Sequence, residues 1–83
     1  LFRYRAAKVF TVASAEEGVR VHVLRNGEPV TVEAGAHVDN SGTVFIQQDQ
    51  LYRLIEDREG YGEHTLELLI QEPGVRLFTF TFG

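Results

Sequence analysis

Cysteine is missing from all 83 residues, so no disulfide supports the fold and no thiol chemistry is available on this segment. Methionine is missing too, including from position 1, which reads as a chain cut from something longer. An excess of basic charge is also absent: eight Lys and Arg against twelve Asp and Glu leave a formal charge of −4. Nucleic-acid binding calls for a basic patch, and the one cluster present is the small group Arg3, Arg5 and Lys8. No apolar run approaches the roughly 20 residues of a transmembrane helix, and no signal peptide is present. What is left is a small chain that must hold itself together by its apolar core, at 43% hydrophobic residues. There is room for one domain, spanning residues 1–83, and such a domain buries roughly 60–65% of its unfolded surface.

The apolar residues come in short alternating runs, which is the period of strands rather than helices. The closing stretch is the most pronounced. His64 to Ile70 and Val75 to Phe82 flank Gln71-Glu72-Pro73-Gly74, and Pro-Gly presets a turn. A β-hairpin is expected there. Phe78, Phe80 and Phe82 fall on one face of its second strand, and aligned rings of this kind can anchor a small core. Phe80→Ala is accordingly expected to cost about 3–5 kcal/mol.

Phe2 to Val12 reads as a long first strand whose phase falters near Ala6 to Lys8, where a bulge or a change of sheet would account for it. Ala13 to Gly18 reads as a turn or one poor helical turn. Val19 to Leu24 alternates cleanly, with Val19, Val21 and Val23 on one side. Asn26-Gly27 follows, the strongest short-range hairpin signal, and Pro29 to Glu33 is expected to return with Val30 and Val32 inward. Thr43 to Gln47 is another strand. Leu51 to Glu56 is ambiguous, because Leu51, Leu54 and Ile55 also fit a helical spacing. With glycines at 60 and 62 allowing only about two turns, a short strand is the better reading. Some seven to eight short strands at roughly 8–12-residue spacing make an all-β antiparallel sandwich.

Chemistry is sparse. His22, His37 and His64 match no zinc spacing, and His37, Asp39, Asn40 and Asp49 lack the ligand alternation of a calcium loop. Ser14 and Ser41 show no nucleophile-elbow pattern. Glu16-Glu17 and Glu56-Asp57 sit in hydrophilic stretches where carboxylates are simply solvated. The residues therefore predict no enzyme and no cofactor. Rings outside the core could still contact a ligand. Tyr61, between two glycines, and Tyr52, out of phase with Leu51 and beside Arg53, are expected to face solvent. Tyr52, Arg53 and Tyr61 are thus the candidate ligand or partner contacts. If they bind sugar, two tyrosines give a weak site, about 4 kcal/mol or millimolar.

The strings VRVHVLRNGEPV (Val19 to Val30), GAHV, LYRLI, GEHTLEL and PGVRLFTFTFG occur in that order. Together they resemble the C-terminal domain of certain bacterial thioredoxin-like proteins, among them fusions with a cytochrome-c-biogenesis-type membrane unit. The resemblance implies a jelly-roll-like sandwich similar to carbohydrate-binding modules, outside the cytoplasmic membrane. It also implies an upstream thioredoxin-like domain in the same chain that carries the redox cysteines, none of which has a counterpart here. Two roles are compatible with it: a non-catalytic accessory domain that docks on its redox domain or a client, or a module for cell-envelope glycans. An apolar patch near Leu1 would favour the first, and an exposed row of coplanar rings the second. Dimerisation through an edge strand is a third possibility.

Overall fold

The computed structural model describes residues 2–57 and 63–83. Among them there are eight strands and no helix: β1 (Phe2–Arg5), β2 (Lys8–Ala15), β3 (Val19–Arg25), β4 (Glu28–Pro29), β5 (Thr43–Ile46), β6 (Gln50–Glu56), β7 (Glu63–Ile70) and β8 (Val75–Phe82). All ladders are antiparallel and they form two sheets. The first runs β1-β7-β3, with β4 and β5 sharing the far side of β3; the second runs β6-β2-β8. The all-β sandwich read from the alternation is the fold.

The long first strand changes sheets. Phe2 to Arg5 pairs with Leu66 to Glu63 in the first sheet; from Lys8 onward the chain pairs with β6 and β8 in the second. The corner falls on Ala6-Ala7, where small side chains let the backbone turn across the core, and Ala6 is buried. β3 behaves as its pattern demands, with Val19, Val21 and Val23 in the core. Asn26 and Gly27 follow at φ 55° and 83°, the positive pair that a tight hairpin twisting with its strands requires. Its return strand stops after two residues, however. Pro29 has no amide donor to extend a ladder, and the chain leaves in a turn closed by Ala34 N–H donating to the Thr31 carbonyl at 3.0 Å. Val30 is therefore buried as expected, but Val32 stands 97% exposed, not inward.

Two expectations about the closing stretch fail. β7 and β8 do not pair with each other: β7 lies between β1 and β3, and β8 lies against β2. Gln71 to Gly74 is a crossover between sheets, with Gly74 at φ 104°, rather than a hairpin turn. Turn residues encode a reversal but not the partner that each strand finds. The phenylalanine face fails as well, through a β-bulge. Val12 pairs with Thr79 but Ala13 pairs with Leu77, so Phe78 is the extra residue. Inward positions are Val75 and Leu77 before the bulge and Phe80 and Phe82 after it, opposite buried Ala15, Ala13, Thr11 and Val9. Phe78 is turned out, 57% exposed.

The same device explains the ambiguous element. Val9 pairs with Ile55 and Phe10 with Arg53, which leaves Leu54 as the extra residue of a bulge. Leu54 and Ile55 are consequently both buried, and adjacent buried residues are what made the stretch look helical. The core is mostly aliphatic, led by Ile46, Leu54, Ile55 and Leu66, with no phenylalanine among the fully buried side chains of the described residues.

Candidate functional site

Of the candidate contacts, Tyr52 and Arg53 fall on opposite faces of β6. Tyr52 lies in the core, 2% exposed, so the expectation that it faces solvent is overturned. Its phase is reversed because β6 pairs with β2, placing Tyr52 opposite buried Thr11 and leaving Leu51 outside. The Tyr52 hydroxyl is also occupied. It accepts from the Gln47 amide at 3.0 Å and donates to the Gln48 carbonyl at 2.9 Å. Arg53 is exposed on the opposite face, and its amide donates to His37 Nδ1 at 2.8 Å. Tyr61 lies outside the described residues.

What Tyr52 does instead is hold the turn between β5 and β6 in place. That turn, Gln47 to Asp49, lies at the end of the sandwich where β2 runs out through Glu16 and Glu17 and where β7 crosses to β8 through Pro73-Gly74. Ala15 N–H donates to the Gln47 carbonyl at 2.6 Å and ties two of these segments together. Between the three lies an open cleft of about 860 Å³, bordered by Glu16, Glu17, Gln47, Gln48, Asp49 and Arg76. Among the described residues, carboxylates outnumber the single guanidinium, the amides offer both donors and acceptors, and no aromatic ring lines it. Such a surface suits a polar or basic protein segment better than the flat face of a sugar. Leu69 and Ile70, 37% and 42% exposed, lie at the same end on β7. The sequence names each of these segments only as a turn; that they converge follows from the strand order, which composition does not encode.

The histidines serve separate purposes. His22 Nδ1 is 3.1 Å from the Thr43 hydroxyl, His37 Nδ1 accepts from Arg53, and His64 Nδ1 is 3.0 Å from the Asn26 side-chain nitrogen. Asn26 Oδ1 takes the Thr65 amide at 3.0 Å, so its Nδ2 donates to His64. No group of three His, Cys, Asp or Glu suited to a metal ion is found among the described residues. At the end opposite the cleft, Arg25 and Asp57 form a partly buried ion pair at 2.6 Å. Burial works against the Arg25 charge, but Asp57 and the neighbouring Tyr4 outweigh it and raise its pKa. Tyr4 is buried, which pushes its hydroxyl up, with partial relief from the Arg25 cation. Asp39 closes its own loop: Oδ1 accepts from Ser41 N, Ser41 Oγ and Thr43 N at 2.8, 2.6 and 3.0 Å. These bonds hold its carboxyl below the ordinary 3.8.

The antiparallel sandwich carries a cleft built from turns and lined mostly by polar side chains at one end. The chain belongs to the thioredoxin-like C-terminal domain family, which matches over residues 1–83. Comparison with curated proteins and with solved structures gave no match.

Proposed function

We propose that this domain is a non-catalytic accessory module of an extracytoplasmic thioredoxin-like thiol–disulfide protein, and that it docks on the thioredoxin-like unit. One observation carries the reading. β1 runs antiparallel to β7 with Phe2 opposite Leu66 and Arg5 opposite Glu63, so a unit preceding β1 in the chain approaches along Glu67 to Ile70. That path leads to the end holding the cleft, with Leu69 and Ile70 exposed beside it. Apolar contacts ringed by hydrogen-bonding groups are the usual composition of a protein interface. The redox step belongs to the partner, because thiol–disulfide exchange needs a thiolate and this segment has no cysteine.

The test is an amide NMR titration of the domain with a thioredoxin-like domain, run beside one with peptidoglycan fragments. Shifts centred on Gln47 to Asp49, Leu69, Ile70 and Glu72 to Arg76 are expected with the first and none with the second. Shifts around Arg53 and Tyr61 with glycan, and none with protein, overturn docking in favour of the glycan module. Insulin reduction by the isolated domain should stay at the buffer rate; turnover surviving purification overturns the non-catalytic reading.

A further inference from the structure

We propose that Asn26 is a modification site, where the side-chain amide is lost to the Gly27 backbone to leave aspartate or isoaspartate, and that β7 gates the reaction. The Gly27 nitrogen attacks Asn26 Cγ and closes a succinimide ring. The Cγ–Nδ2 bond breaks, and Nδ2 leaves as ammonia with the Gly27 amide proton. Water then adds to the ring: opening at Cγ gives aspartate, and opening at the main-chain carbonyl gives isoaspartate. Ring closure is easiest before glycine, which has no side chain to keep its nitrogen away. Asn26-Gly27 is the one such pair in the chain, since the other asparagine, Asn40, precedes Ser41. The tight hairpin favours both residues, because they sit at φ 55° and 83°. Both are exposed, and a Cβ placed on Gly27 would meet nothing within 4 Å, so water and ammonia have free access.

In the folded domain the amide is tied across to β7 instead. Oδ1 accepts the Thr65 amide at 3.0 Å, and Nδ2 donates to His64 Nδ1 at 3.0 Å. Asn26 N–H donates to the Thr65 carbonyl at 2.8 Å. Backbone and side chain together thus extend the β3–β7 ladder one step past Arg25 and Leu66. The clamp is firm, because the His64 ring packs 5.8 Å from that of Tyr4 and its Nε2 is buried. Turning Cγ towards the Gly27 nitrogen gives up both side-chain bonds. The products do not fit this clamp. Aspartate at 26 still accepts from Thr65, but once ionised it has no donor for His64 Nδ1, and it sets a negative charge beside Arg25. Isoaspartate adds a carbon to the main chain in a tight turn. There β4 is held by two residue pairs alone, Leu24 with Pro29 and Arg25 with Glu28. Conversion therefore opens the β3–β4 hairpin.

The inference is independent of docking at the cleft end. It is tested by incubating the chain in mildly alkaline buffer, folded and in urea, with peptide mapping by mass spectrometry and an enzymatic isoaspartate assay. In urea Asn26 should convert ahead of Asn40. Folding should slow Asn26 at least about tenfold, because two hydrogen bonds must open first. His64→Ala removes one of them and should raise the folded rate about three- to tenfold, with the rate in urea unchanged. His64→Gln, which keeps an acceptor, should raise it less. Ile46→Val thins the core away from the clamp and is the control for global opening. Circular dichroism confirms that the variants fold. A folded rate equal to that in urea, Asn40 converting first in urea, a His64→Ala rate no faster than the parent's, or equal acceleration by Ile46→Val each overturn the proposal.

Discussion

The second sheet has two outer strands, β6 and β8, of nearly equal length, and they meet the outside in opposite ways. Along β6 the segment from Glu33 to His37 lies as a guard. Gly35 N–H donates to the Leu54 carbonyl at 2.9 Å, Glu56 N–H to the Glu33 carbonyl at 2.9 Å, and the Arg53 amide is taken by His37 Nδ1. Along β8 no strand or loop among those described supplies an equivalent ladder. The burial follows: β6 holds Tyr52, Leu54 and Ile55 in the core, whereas every residue of β8 keeps some exposure. Edge protection in this domain is thus supplied by a passing loop rather than by the strand's own residues. On β8, Leu77, Phe78 and Phe82 stay 38–57% exposed.

The sharpest test sets the two strands against each other. Leu54→Ala on the guarded strand should cost about 2–5 kcal/mol, a large share of the stability of a domain this small. Phe80→Ala on β8 should cost less, about 1–2 kcal/mol, since the ring is only partly buried against the core. Exposed Phe78 should tolerate alanine within about 0.5 kcal/mol. Denaturant midpoints decide the order. Should Phe80→Ala cost as much as Leu54→Ala, Phe80 is as fully packed in solution as Leu54.

Next in size is the guard itself. A Cβ on Gly35 would sit 2.2 Å from the Arg53 carbonyl oxygen and 2.5 Å from its carbon, backbone atoms that cannot swing aside. Gly35→Ala should therefore push the loop off β6 and cost about 1–3 kcal/mol. Hydrogen exchange at Gly35 and Glu56 should speed up while β8 amides stay unchanged. Equal loss on both strands would mean that the guard acts on the whole sheet.

Tyr52→Phe comes third. The ring still fills its place, but the Gln47 amide and Gln48 carbonyl lose their shared partner, for about 1–2 kcal/mol. The cleft's β5–β6 turn should loosen, visible as line broadening at Gln47 to Asp49. Unchanged exchange there would show that the turn is held by other contacts.

How much of this was legible in the residues is decided by the bulges. Where alternation is unbroken, as in Val19 to Val23, pattern and structure agree. Where one extra residue enters, the period of two is shifted, so simple alternation places Tyr52 outward and Phe78 inward and gives Leu54-Ile55 a half-helical spacing. A bulge carries no fixed sequence mark, and neither does the choice of partner that separates β7 from β8. The turns were legible one by one, through Asn26-Gly27 and Pro73-Gly74. Their meeting around one cleft required the topology.

The smallest expected effect lies on the loop between guard and β5. Asp39 accepts three hydrogen bonds through one oxygen, and these favour its ionised form. A carboxyl with a lowered folded-state pKa adds stability that is complete above its unfolded value and is lost as pH falls through the folded one. The loss should therefore begin below the ordinary 3.8 and mark this loop before the strands. Since the carboxylate is fully exposed, solvent keeps the contribution small. Acid titration followed at the Ser41 and Thr43 amides should show both shifting together, with a midpoint under that value. Asp39→Asn retains an acceptor but no titrating group, so the joint shift should vanish while the fold and the β6 ladder persist. If the two amides still shift together in that variant, the Asp39 carboxylate is not the group that controls the loop.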